Sequence, residues 1–250
     1  MIFVLVHGAW HGGWVWRRVA ARLRRAGHEV LTPTLTGLSD RAHLISPAVG
    51  LETHIEDVVR LVEAETGPET STPDVVLVGH SYAGMVISGA ADRLGRTVAL
   101  RVYLDAFVGA DGDSAVALLP AEVAEHYRES VAARGFGWLI PQRSLEVLGV
   151  TEAADLAWLT PRLTPHPWRT YTDPLRVGPG LDSVPAAFVE CVDWIRVFAA
   201  QAERARAAGW PVLTIATGHE AMVTAPDALA DILAELSPVG PMTGHNGQRR

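Results

Sequence analysis

Ser81 is the residue around which chemistry can be built. It lies in the run Val75-Val76-Leu77-Val78-Gly79-His80-Ser81-Tyr82-Ala83-Gly84, where a short apolar segment gives way to small residues and then to helix formers. That order predicts a strand, a tight turn and a helix, with the serine at the apex. Such a turn strains its central residue, so the positions two before and two after must be small, and Gly79 and Ala83 supply them. The hydroxyl then stands clear of the sheet, beside a backbone N–H and a helix N-terminus.

A serine hydroxyl is a weak nucleophile until a base takes its proton, an acid orients that base and donors meet the oxyanion that forms. Of the ten histidines, His219 is placed to be the base. It follows the last apolar run in Thr217-Gly218-His219-Glu220, just ahead of the final helix. His80 adjoins Ser81 but points elsewhere on so tight a turn. The oxyanion donors are expected from Tyr82, the residue after the nucleophile, and from Ala9, in the loop after the first strand. His7, Gly8 and Trp138 are expected to contact substrate. His7 and His11 have no third partner at metal-ligand spacing, so no metal site is expected, and no phosphate-cradling glycine motif implies a nucleotide.

The elements that must position these residues read as an alternation. Apolar runs at Ile2–Val6, His28–Leu35, Val75–His80, Val98–Phe107, Val184–Val192 and Pro211–Ala216 predict six strands. Near-continuous apolar character predicts strands buried on both faces of a mostly parallel sheet. Between them lie helical patterns. The first carries Trp16, Val19, Ala20 and Leu23 on one face and is stopped by Gly27. The second starts at a capping box, Thr53-His54-Ile55-Glu56, and a later one covers Phe198–Ala208. The last begins near Pro226. Thr36 to Gly50 and the breaker-rich Gly67 to Asp74 read as loops. In such sheets ligands bind beyond the C-terminal strand ends, where Gly8, Ser81, Asp105 and His219 all fall.

The alternation lapses from 109 to 183. That stretch holds Phe136, Trp138, Trp158, Trp168 and Tyr171 and many prolines, with helical pieces at 114–134 and 152–159 and no convincing buried strand. It is read as a cap inserted between two parts of an α/β core, 1–108 and 184–236, its rings serving as its own core or as the lining of an apolar pocket. Residues 237–250, rich in Gly, Pro and polar residues, are expected to be disordered.

Composition narrows the partners. The 250 residues suit one α/β domain with an insertion, and 48% hydrophobic with 20% charged residues is ordinary for a globular protein. A net charge of −7 argues against nucleic acid, and all 21 cationic side chains are arginine. Cys191 alone allows no internal disulfide. No run is long enough to span a membrane and no leader is visible, so a cytoplasmic protein with a small-molecule substrate is expected. A homodimer is compatible with the sequence.

From Val-His-Gly-Ala-Trp-His-Gly-Gly-Trp near its start to Thr-Gly-His-Glu-Ala-Met-Val-Thr-Ala-Pro near its end, the chain resembles the α/β-hydrolases. Within them it is similar to the plant methylesterase and hydroxynitrile lyase branch and its bacterial esterase-like relatives. The resemblance implies a helical cap and ester hydrolysis without a cofactor. It also exposes a departure. The family usually places its acid three residues past a cysteine, where this chain has Trp194, and Asp193 stands one residue early. A one-residue slip at a strand end turns the side chain to the opposite face. Asp105, at the end of Val102-Tyr103-Leu104-Asp105, is favoured as the acid, with Asp193 the alternative. A carboxylate amid Val, Tyr, Leu and Phe needs a partner such as an imidazole N–H.

The expected function is a serine hydrolase that cleaves an ester or lactone of a small apolar molecule through an acyl-enzyme on Ser81. A cofactor-free lyase using the same residues and a non-catalytic ligand-binding relative are the alternatives. Resembling hydroxynitrile lyases carry a lysine after the catalytic histidine, where this chain has Glu220.

Overall fold

Six apolar runs pair into one sheet. The structure is a computed structural model that describes residues 1–66 and 74–237. β1 (Ile2–Val6) leads through a 3-10 turn into α1 (Arg17–Arg25), and β2 (Glu29–Leu31) is followed by a 3-10 segment, Ser39–Leu44, and α2 (Leu51–Thr66). β3 (Val75–His80) and α3 (Ala83–Leu94) flank Ser81, and β4 (Val98–Leu104) ends at Asp105. The inserted stretch holds α4 (Ala121–Arg134), β5 (Leu139–Ile140), α5 (Ala153–Leu159), β6 (His166–Pro167) and α6 (Arg169–Thr172). The alternation resumes with β7 (Ala186–Cys191), α7 (Ala199–Ala207), β8 (Val212–Ile215), the single turn α8 (Ala221–Thr224) and α9 (Pro226–Leu236).

The main sheet has the order β2-β1-β3-β4-β7-β8, with every pair parallel. Every residue of β3, β4 and β7 is buried, as their continuous apolar character requires. Helix α1 packs on α9 and α2 on α3, two pairs that shield the sheet. Arg101 is the buried exception in β4. Its guanidinium donates to Tyr103 Oη at 3.0 Å and to the carbonyls of Leu181 and Val184 at 3.1 and 2.8 Å, which ties the chain returning from the insertion to the sheet.

Several expectations need correction. The strand read over His28–Leu35 is only Glu29–Leu31, because β2 is an edge strand paired to β1 alone. The next residues turn away, and the Thr34 hydroxyl and Leu35 N–H bond Gly13 N–H and His7 Nε2 instead. The capping box at Thr53 does not start α2. The helix begins at Leu51, whose N–H donates to Asp173 Oδ2 at 3.3 Å. The 109–183 stretch does contain strands, the two-residue antiparallel pair β5–β6, and its first helix starts at Ala121. The tail expected to be disordered, residues 237–250, lies outside the described residues except for Ser237, as does the Gly67–Asp74 loop except for Asp74. None of the described helices is long and apolar enough to cross a membrane.

The inserted stretch is fastened to the strand ends. Thr164 N–H donates to Trp10 O at 2.9 Å, Trp10 Nε1 to Ile140 O at 3.3 Å, and His219 N–H to Leu148 O at 2.8 Å. The segment therefore helps to hold two loops from which chemistry was expected.

Candidate active site

Ser81 sits between β3 and α3 with φ of 55°, a left-handed conformation rare for a residue with a side chain. Neighbouring backbone enforces it: Ser81 N–H donates to Leu104 O, and the N–H groups of Gly84 and Phe107 converge on Ser81 O at 3.2 and 3.1 Å. A Cβ on Gly79 would lie 2.7 Å from the Ala83 carbonyl oxygen, so only glycine fits where the chain doubles back. Trp10 and Asp105 also hold positive φ, at 68° and 43°. Such strain persists only where the surroundings over-determine it, and it gathers at functional sites.

His219 follows β8 and lies beside the cavity that Ser81 lines. Its Nδ1–H donates to Asp105 Oδ2 at 2.8 Å, which leaves Nε2 as the free ring nitrogen. Asp105 is almost wholly buried; burial raises its pKa, against which the hydrogen bond and charge of His219 act. Its own N–H donates to Val189 O at 2.8 Å, so β4 and β7 set its position. Asp193 is exposed, and its N–H bonds Thr217 O at 3.0 Å. The structure thus brings Asp105, and not Asp193, to His219. Trp194, at the position where resembling proteins carry the acid, stacks on the His219 ring with centroids 4.4 Å apart, and Phe198 stacks at 5.3 Å. His80 Nε2–H donates to His219 O at 3.0 Å, and burial drives the His80 pKa well below the ordinary value. His219 is therefore held by a carboxylate, two rings and bonds at both its backbone N–H and its C=O.

The expected oxyanion donors lie on two fixed loops. Tyr82 is fully buried, with Oη donating to His54 Nδ1 at 3.0 Å and its ring stacked on Tyr171 at 5.3 Å. His54 Nε2–H donates to Thr36 O at 2.8 Å, so the imidazole is neutral and burial lowers its pKa to about 4. Ala9 N–H belongs to the Gly8–Ala9 peptide, whose carbonyl accepts from His7 Nδ1–H at 2.8 Å. His7 Nε2 accepts from Leu35 N–H at 3.1 Å, and burial lowers the His7 pKa to about 3. Both ring nitrogens of His7 are thus engaged, and it fixes the plane of the peptide that carries the Ala9 N–H.

His7 was expected to contact substrate; it is wholly buried, does not line the cavity, and supports the loop instead. Gly8 does not line the cavity either. It lets β1's loop approach the turn, since a Cβ there would lie 2.8 Å from His80 Nδ1 and 3.0 Å from Ser81 Cβ. Trp138 is also displaced: it precedes β5, its carbonyl accepts from Trp168 N–H at 2.8 Å, and other rings line the cavity. That narrow cavity is walled by Trp10, Phe107, Tyr127, Tyr171, Trp194 and Phe198, with Leu119, Val123, Leu148, Val197 and Arg143 between them. Residue type flagged aromatics in the insertion, but which of them turn inward has no signal in sequence.

Among the described residues, His80, His219 and Glu220 bring ligand-type atoms within 4.8 Å of one another. His80 Nε2 and His219 Nδ1 are engaged in hydrogen bonds, so an ion there would have to take the nitrogen by which His219 can act as a base. Glu220 is buried, 3.6 Å from His11 Nε2, and does not line the cavity.

A parallel sheet that presents a strained serine, a histidine and a buried carboxylate at its strand ends defines the α/β-hydrolase class. The sequence profile of the alpha/beta hydrolase family matches residues 3–232, and the chain belongs to that family of hydrolase enzymes. It is 42% identical to a carbendazim hydrolyzing esterase of Nocardioides sp. (strain SG-4G) over 247 residues, which are 94% of this chain and 98% of that protein. It is 37% identical to Methylesterase 10 of Arabidopsis thaliana over 113 residues, 42% of this chain and 37% of that one. An extracellular alpha/beta-hydrolase from a Paenibacillus species shares the fold with a TM-score of 0.82 at 21% identity, covering 96% of this chain and all of that one.

Proposed function

We propose that the protein is a serine esterase acting on a small, largely aromatic or apolar ester, with Ser81 as nucleophile, His219 as base and Asp105 as the orienting acid. The observation that carries this reading is the 2.8 Å bond from His219 Nδ1 to a buried Asp105, beside a cavity that both Ser81 and His219 line. The bond fixes the tautomer in which Nε2 has a lone pair for the Ser81 proton. Family membership and the 42% identity to an esterase over nearly the whole chain support the same chemistry.

The steps follow from these roles. Ser81 Oγ attacks the ester carbonyl carbon as His219 Nε2 takes its proton. The carbonyl oxygen gains the electron pair and is met by the N–H groups of Ala9 and Tyr82. Collapse expels the alcohol, protonated by His219, and leaves an acyl group on Ser81. Water, deprotonated by the same nitrogen, then releases the acid. Asp105 stabilises the imidazolium in both halves. The oxyanion contacts gain strength as charge develops, and one such donor contributes on the order of 10²–10³ in rate. Cyanohydrin cleavage, the chemistry of the resembling lyases, lacks the lysine beside its histidine, and Glu220 is turned toward His11.

The test is turnover of 4-nitrophenyl acetate by the wild type and by Ser81→Ala. The expected result is measurable wild-type hydrolysis that falls to background in the variant while its melting temperature is retained. Equal rates would reject the serine mechanism.

A further inference from the structure

One side chain in the cavity does not match the rest. Arg143 lies in the inserted stretch, lines the same cavity as Ser81 and His219, and places its guanidinium carbon 5.5 Å from the Tyr127 ring centroid. Other arginines have polar partners: Arg18, Arg41 and Arg169 meet Asp155, Asp57 and Asp173, and the buried Arg101 donates to Tyr103 Oη and two carbonyls. Among the described residues Arg143 forms no ion pair, and no Asp or Glu lines the cavity. The ring face attracts the cation but leaves its N–H groups able to take a counter-charge.

A second observation points the same way. Trp194 also lines the cavity, and its indole N–H is buried with no acceptor among the described residues. Buried donors are rarely left unmatched in a native protein. The cavity wall therefore joins a guanidinium and an unmatched indole to flat rings, with no carboxylate among its lining residues. A guanidinium is a planar fork that matches a carboxylate with two parallel hydrogen bonds, and its cation–π contact with Tyr127 keeps it at the cavity wall.

We propose that Arg143 determines specificity, and that the preferred substrate is an ester whose flat aromatic part carries a carboxylate, which meets the guanidinium while the ester carbon faces Ser81. This rests on the esterase reading and narrows its substrate class. The aromatic part stacks between the rings, and the distal anion supplies the charge that the cavity lacks.

The test measures binding apart from chemistry. Ser81→Ala protein is titrated by calorimetry with methyl 4-carboxybenzoate and with methyl 4-methylbenzoate, which differ only in the distal group. The expected result is at least tenfold tighter binding of the carboxylated ester. Adding Arg143→Met should reduce that preference to less than threefold, whereas Arg143→Lys, which keeps a charge without the planar fork, should keep part of it. Near-ultraviolet circular dichroism of each variant checks that the fold is retained. Equal affinity for the two esters, failure of the carboxylated ester to bind, or a preference that survives in Arg143→Met would each overturn the proposal. Turnover of 4-nitrophenyl acetate by the wild type reports separately on the esterase reading, so the two can fail independently.

Discussion

The sheet side of the cavity and its cap side are built in different ways. On the sheet side, Trp10, Ser81 and Asp105 hold left-handed backbone conformations beyond strand ends; Ser81 and Asp105 are locked by bonds to β4 and β7, and Trp10 by Thr164 of the inserted segment. On the cap side, Leu119, Val123, Tyr127, Arg143, Leu148 and Tyr171 come from a segment whose strands are two residues long and whose helices are joined by loops. The first side fixes backbone direction, which is what proton transfer and oxyanion binding require. The second supplies apolar and aromatic surface and the one cationic side chain among the cavity's lining residues, Arg143. Bonds at Trp10 and His219 join them: Thr164 N–H to Trp10 O, Trp10 Nε1–H to Ile140 O, and His219 N–H to Leu148 O.

That contrast can be broken at its strongest point first. Asp105→Asn should lower kcat for an aryl ester by about 10³–10⁴-fold, because the wrong histidine tautomer is then favoured. Asp193→Asn, at an exposed position, should stay within about twofold. Comparable losses from the two variants in steady-state kinetics would mean that the pairing with His219 is not what orients the base.

A smaller effect is expected from the other side. Leu119→Ala and Val123→Ala remove cap surface from the cavity without touching the strand ends. They should raise KM about three- to tenfold, as the loss of two (Val) or three (Leu) partly buried carbons implies, and leave kcat within about threefold. A kcat loss as large as that of Asp105→Asn would show that the cap positions the reacting groups as well as the substrate.

The supporting histidines give the mildest effect. Burial lowers His7 to about 3 and His54 to about 4 from the ordinary 6.5, and drives His80 and His166 well below it. Each is neutral when folded and takes up a proton when unfolded. The stability they contribute is therefore complete above about pH 6.5 and is lost as the pH falls through about 4 and then 3. Asp105, shifted upward, offsets no more than one of these protons. The melting temperature should thus fall steadily from about pH 6.5 downward, with net proton uptake on unfolding near pH 5. A melting temperature that holds level over that range would contradict neutral buried imidazoles in the folded state.

The two sides also differ in how much of them could be read from the sequence. β1, β3 and β4 show as unbroken apolar runs because both faces are covered, and the turn at Ser81 shows because only small residues fit it. Asp105 was legible through its apolar neighbours, which left a carboxylate in need of a partner. The register argument against Asp193 rested on the alternation of side chains, and Asp193 is indeed exposed while Trp194 turns in to His219. The cap was harder. Two-residue strands have no period to detect, and ring content alone does not say which ring faces the cavity: of the insertion's rings Trp138 was singled out for substrate, whereas Tyr127 and Tyr171 line the cavity. His7 was assigned to substrate for its place near Ser81, but its partners, Gly8 O and Leu35 N–H, depend on where β2 ends.

The central claim is that Ser81 is an activated nucleophile served by His219 and Asp105. The most direct measurement is the mass of the protein after brief exposure to a fluorophosphonate, with the adduct mapped by peptide sequencing, in the wild type and in Asp105→Asn. The account predicts one adduct, on Ser81, formed much more slowly in the variant. No adduct, an adduct on another residue, or equal labelling rates in the two proteins would contradict it.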